Sequence, residues 1–217
     1  MRAALLLLAL ALGLTAQTAR AQTAGDTAPP AQADGVTVSP AGCDFEVIFP
    51  SQPYSSRRCP DGAAGQCYDL TRYTMVYEMT TTVDVRFSCN PLMPGQYEQY
   101  NEQVTRMALN GMAARNGVQE SRTNFSQEND IRRTTLTGSG TSGRQNKVYI
   151  AQLWLSPRSI LTMEAELIGP EHGQADDVFG EILKSVALKG ANAAAKAAPA
   201  DPAATPPPAP APAPVSP

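Results

Sequence analysis

The sequence predicts an α+β fold, a central and mainly antiparallel sheet flanked by two helices. Three observations predict it. Short segments rich in β-branched and aromatic residues recur through residues 42–189, each bounded by Gly, Pro, Asn, Asp or Ser. Two stretches, near 97–117 and 171–185, instead space their apolar residues at three and four. The order is strands, helix, strands, helix, with tight turns between successive strands, and tight turns join antiparallel neighbours.

The ends of the chain are expected to stand outside that fold. MRAALLLLALALGLTAQTARA places Arg2 before an apolar run and ends on Ala19-Arg20-Ala21, the order of a secretory signal peptide over residues 1–21, with an apolar run too short for a membrane span. Residues 22–41 read as a disordered linker, and residues 190–217, dominated by Ala and Pro, as a disordered tail with polyproline II character. The remainder, 42–189, is about one domain and buries roughly 68–70% of its unfolded surface, enough for a core without a metal. A net charge of −3 and a pI near 5.2 argue against nucleic acid, which needs a dense basic patch. Arg57-Arg58 and Arg132-Arg133 read as solvated strand or loop positions.

In DFEVIFP the residues Phe45, Val47 and Phe49 alternate with Glu46 and Ile48, a strand with one face inward. Pro50-Ser51-Gln52-Pro53 stops it and favours a reversal, so residues 54–59 are expected to return beside it as a hairpin. Asp61-Gly62 and Gly65 supply the next turn, and YDLTRYTMVYEM forms a long third strand through Leu70, Tyr73, Met75 and Tyr77. The fourth runs through Val83 to Phe87 and ends at Cys89-Asn90-Pro91.

YEQYNEQVTRMALNGMAARNG then reads as one amphipathic helix with Tyr97, Tyr100, Val104, Met107, Ala108 and Gly111 on its inner face, closed by Asn116-Gly117. VQESRTNFSQEN, IRRTTLTGSGTSG, KVYIAQLWLS and SILTMEAELIG are four further antiparallel strands. The third of these is apolar on both faces and should be central. The Ser-Pro-Arg-Ser turn links it to the fourth. A last helix, about 171–185, presents Ala175, Val178, Phe179, Ile182 and Val186 to the sheet.

The opening F-x-V-x-F-P-x-x-P of residues 45–53, the helix ending at Asn116-Gly117, the V-Y-I-A-Q-L-W strand and the closing helix before Ala187-Leu188-Lys189 together resemble the PsbP-like superfamily. The resemblance spans about 43–189. It implies α/β/α layers and a non-catalytic binding or assembly role. The four cysteines and the Pro/Ala tail are not part of that pattern, and no functional residue carries across.

Cys43, Cys59, Cys67 and Cys89 lack the close C-x-x-C spacing of zinc or redox sites, and Pro40-Ala41-Gly42-Cys43 departs from a lipobox. In an exported chain two disulfides are the default. In an up-and-down strand order all four cysteines fall at one end of the sheet. Cys59 with Cys67 and Cys43 with Cys89 is then the preferred pairing, and Cys43 with Cys59 and Cys67 with Cys89 the alternative.

Few residues of the chain could carry chemistry. His172 is the single histidine and reads as a loop or cap residue; neither G-x-S-x-G nor S-x-x-K occurs. The glycines of 138–143 read as a hairpin loop, since no Lys and no helix follow them. Glu164 and Glu166 share one strand face and could form a carboxylate pair. The resemblance, together with this missing catalytic set, implies a non-enzymatic, periplasmic or secreted binding or assembly protein, with no cofactor or metal, whose partner is an envelope protein or small ligand. Two alternatives stand beside it: a small-ligand carrier with a pocket near Tyr97, Tyr100 and Trp154, and a hydrolytic or metal-dependent enzyme using Glu164, Glu166 and His172.

Overall fold

The computed structural model describes residues 35–59 and 67–192. The expected leader, most of the linker, the turn at 60–66 and the tail beyond 192 lie outside these residues.

A seven-stranded antiparallel sheet forms the body. Its strands in chain order are β3 (Tyr54–Arg58), β4 (Tyr68–Tyr77), β5 (Thr81–Pro91), β6 (Val118–Glu128), β7 (Ile131–Ser142), β8 (Gln145–Leu155) and β9 (Ser159–Ile168). Across the sheet they run β3-β4-β5-β9-β8-β7-β6, so β9 is central and β8 stands beside it. A second, three-stranded sheet has the order β1-β2-β10, from β1 (Val36–Val38), β2 (Phe45–Phe49) and β10 (Ala187–Leu188). The helices are α1 (Gln96–Gln99), α2 (Glu102–Arg115) and α3 (Gly173–Lys184).

The α+β reading, a single sheet flanked by helices in α/β/α layers, is overturned. Strands hold 53% of the described residues, in two sheets of three and seven strands, and helices are few. Three local causes account for the difference. First, β2 and β3 do not form a hairpin: Pro50 and Pro53 end the ladder, β3 joins β4, and β2 moves into the small sheet between β1 and β10. There Phe45, Val47 and Phe49 are all fully buried against the large sheet, with Phe49 stacked on Phe87 at 5.9 Å. The pairing of Val36–Val38 with β2 also places part of the expected linker in a strand.

Second, the long helix breaks. Asn101 caps α2, its side-chain oxygen accepting from the Val104 N–H at 3.0 Å, and the cap resets which face turns inward. The buried face is Thr105, Leu109, Met112 and Ala113, while Met107, expected inside, is 58% exposed. Third, the glycines of 138–143 are strand residues as far as Ser142, not a loop. A Cβ on Gly138 would stand 2.5 Å from Val118 and 2.6 Å from the Glu120 carbonyl, so glycine lets β6 come close where its ladder shifts register.

Two cores lie on opposite faces of the large sheet. On one face α2 packs over β6, β7 and β8, burying Leu109, Leu136, Tyr149, Leu153 and Leu155. On the other the small sheet and α3 cover β5 and β9, burying Val85, Phe87, Met163, Phe179 and Ile182. Each of these side chains contributes roughly 1.5–3 kcal/mol by burial. The two covers are staggered, so each face of the sheet has one covered half and one open half.

Candidate functional site

Alternation along three neighbouring strands turns a set of charged side chains to the α2 face, just beyond the end of that helix. Register pairs Asp84 with Glu166 and Arg86 with Glu164 across β5 and β9, and Glu166 with Tyr149 across β9 and β8. Arg72 and Thr74 join from β4, opposite Arg86 and Asp84. Asn116, the C-cap of α2, drops its amide into the middle of this group.

The bonds leave little unused. Asn116 Nδ2 donates to the Met112 carbonyl at 2.9 Å and to Glu164 Oε2 at 2.7 Å, and the Tyr149 hydroxyl donates to the same Glu164 oxygen at 2.8 Å. Lys147 Nζ donates to the Asn116 carbonyl at 2.6 Å and to Glu166 Oε1 at 3.0 Å. Arg86 stands 4.0 Å from both glutamates and donates to Asn116 Oδ1 at 3.3 Å. Arg72 grips Asp84 with two nitrogens, at 2.7 and 3.2 Å, while the Thr74 hydroxyl donates to that carboxylate at 2.6 Å. Three carboxylates thus face three cations.

The network braces the sheet against the end of α2. Burial, and then the charge of Glu164 beside it, push the Tyr149 phenol well above its ordinary range, so the hydroxyl stays protonated and donates to Glu164. Here Glu164 and Glu166 are the anchors of a network that joins α2 to β5, β8 and β9.

The residues singled out from sequence do not converge. Glu164 and Glu166 lie on the α2 face, whereas His172 caps α3, which packs on the opposite face. His172 Nδ1 accepts from the Ala175 N–H at 3.3 Å, and its ring packs beside Tyr77 at 5.1 Å. The Glu164, Glu166 and His172 set is therefore split by the sheet. The expected carrier pocket is split in the same way: Tyr97 and Tyr100 pack with the α2 core, while Trp154 meets Phe45 on the other face at 6.0 Å. Arg132 lies over the Tyr97 ring at 4.0 Å.

Cys43 is bonded to Cys89 and Cys59 to Cys67. The first bond ties the entry to β2 to the end of β5 and so links the two sheets. Nearby, Asp44 accepts from the Ser156 hydroxyl at 2.6 Å and from Arg158, and its N–H donates to Ser159 Oγ at 2.9 Å, which locks the Ser-Pro-Arg-Ser turn against the same entry. Among the described residues no group of three or more His, Cys, Asp or Glu could hold a metal ion, and no helix is long and apolar enough to cross a membrane.

No family model and no curated protein matches the chain. Among solved structures it is similar to LpqN. That crystal structure is of a protein involved in cell envelope biogenesis of Mycobacterium tuberculosis, and the likeness has a TM-score of 0.33 at 10% identity, over 63% of this chain and 84% of LpqN. A likeness of that size fixes neither family nor function.

Asp84, Arg86, Asn116, Lys147 and Tyr149 were missed by sequence reasoning. A signal for the strand residues among them exists in the i, i+2 spacing of Asp84 with Arg86, Lys147 with Tyr149 and Glu164 with Glu166, polar or charged side chains of one parity on neighbouring strands.

Proposed function

We propose that this chain is an exported, non-enzymatic binding or assembly protein of the cell envelope, akin to the PsbP-like proteins it resembles in sequence. Its binding surface is the open half of the α2 face, beyond the charged brace. One observation carries this reading: alternation in β3 and β4 puts Tyr54, Tyr68, Val76 and Arg72 on that same uncovered half-face. Tyr54 is 71% exposed and Val76 54%. Tyr and Arg are the residues that dominate interface hot spots. The network of Asp84, Arg86, Glu164 and Glu166 holds the floor beneath them in one conformation, which lowers the cost of ordering on contact. Two disulfides favour an oxidising compartment.

The test is capture of envelope proteins by the oxidised chain, by a Tyr54→Ala/Val76→Asp variant, and by a form lacking residues 191–217. A partner retained by the parent and lost from the surface variant supports the reading. Equal capture by parent and variant, or none by any form, sinks it.

A further inference from the structure

The opposite face carries a second feature, on its own open half. Where β6, β7 and β8 leave the cover of α3, a groove of about 570 Å³ runs across the sheet. Its size falls in the range of roughly 300–1,000 Å³ usual for small-ligand sites. Register places Glu120 opposite Ser139, and Ser139 opposite Val148, so the side chains of Glu120, Ser139 and Val148 rise from one face. Val148, 41% exposed, and Leu167 form an apolar floor.

The rims are acidic on two sides. Glu120 stands on edge strand β6; Glu171 and Asp176 stand at the start of α3, which packs over β9. Those strands are three places apart in the sheet, roughly 14 Å at the usual strand spacing. None of the three carboxylates has a side-chain partner among the described residues. The Lys147 side chain alternates with Val148 and so issues from the α2 face, where Asn116 and Glu166 hold its ammonium, and it does not neutralise the groove. Anionic rims on either side of an apolar floor match a ligand with cationic ends joined by an alkyl chain.

We propose that this groove binds a small organic polycation, an aliphatic polyamine, with ammonium groups at Glu120 and at the Glu171–Asp176 rim and its methylenes over Val148 and Leu167. The site lies across the sheet from the Tyr54 surface and does not depend on it, so failure of one reading leaves the other standing.

Isothermal titration of the oxidised full chain with spermidine tests this, with magnesium chloride, butylamine and a Lys-rich peptide as comparison ligands. Saturable one-to-one binding of spermidine is expected, with butylamine and magnesium each at least about tenfold weaker. Glu120→Gln/Asp176→Asn, substitutions of nearly equal shape at an exposed and a half-buried rim position, should weaken spermidine about tenfold while leaving the thermal midpoint within a few degrees. Val148→Ser should weaken it about threefold without a change of charge, a loss that simple ion screening would not produce. The proposal is overturned if spermidine does not saturate, if magnesium binds as tightly, if the double variant binds like the parent, or if the peptide binds more tightly than spermidine.

Discussion

Asn116 Nδ2 lies 2.7 Å from Glu164 Oε2, so the residue that ends α2 is also a bonding partner of the central strand β9. The same amide also donates to the Met112 carbonyl at 2.9 Å, which the Asn116 backbone N–H reaches at 3.1 Å, so the side chain doubles the bond at the helix end. Asn116→Ala should cost about 1–3 kcal/mol, because it strips a hydrogen bond from a carboxylate that is only 22% exposed. Asn116→Asp should cost more at neutral pH, since it sets a second negative charge at hydrogen-bond distance from Glu164. Urea unfolding of the two variants checks both the size and the order. An Asp variant as stable as the parent would show that the helix end and Glu164 are not coupled.

Tyr149 makes stability depend on alkaline pH. Its phenol is raised above the ordinary value of 10.0 by burial, then by Glu164; Tyr73 and Tyr77 are raised by burial. With a folded pKa above the unfolded one, the folded state holds more protons between the two values, and stability falls as pH rises through that window. The stabilising contribution is complete below the unfolded pKa and is lost above about pH 10. Urea midpoints taken from pH 8 to pH 11 should decline, and Tyr149→Phe should decline less steeply while keeping the part due to Tyr73 and Tyr77. A parallel decline in parent and variant would remove Tyr149 from the account.

Period-two alternation was enough to locate the long strands, because β5, β8 and β9 each bury one or both faces and their side chains report it. It could not tell which sheet a strand joins. β2 alternates as any half-buried strand would, and its transfer to the small sheet depends on partners at Val36–Val38 and Ala187–Leu188, far apart in sequence and too short to signal themselves. The helix register was lost at one residue: Asn101 lies inside a periodic stretch, and only its extended backbone shows that it is a cap. The charged brace was half legible. Glu164 and Glu166 are visible as a pair, but the partners that hold them, Arg86, Asn116, Lys147 and Tyr149, lie on three other elements that periodicity cannot bring together.

Gly169 sits where a side chain has no room. Its φ is +117°, and a Cβ would come 2.3 Å from the Thr80 carbonyl oxygen. The backbone at that contact joins the end of β9 to the β4–β5 turn, so relief requires a ladder end to move. Gly169→Ala should therefore cost about 2–4 kcal/mol, from a disfavoured backbone region together with overpacking. Gly173→Ala, where nothing lies within 4 Å, serves as the control and should be nearly neutral. Thermal midpoints of the two variants decide the matter, and equal shifts would contradict the close approach.

The two disulfides should contribute unequally. Cys43–Cys89 closes a separation of 46 residues and joins the sheets, whereas Cys59–Cys67 closes only 8 beside an edge strand. Chain-entropy reasoning gives about 4 kcal/mol for the longer loop and about 2.5 kcal/mol for the shorter. Cys43→Ala/Cys89→Ala also leaves space in a core where both residues are buried, which adds to the loss. Cys59→Ala/Cys67→Ala removes a staple at a surface strand and adds nothing of that kind. Urea unfolding of the two double variants should place the Cys43/Cys89 variant as the less stable by at least about 1.5 kcal/mol. Peptide mapping without reduction should recover Cys43 joined to Cys89 from protein exported to an oxidising compartment. Recovery of Cys43 joined to Cys59 would reject this connectivity, since β2 and β3 would then have to lie side by side in one sheet.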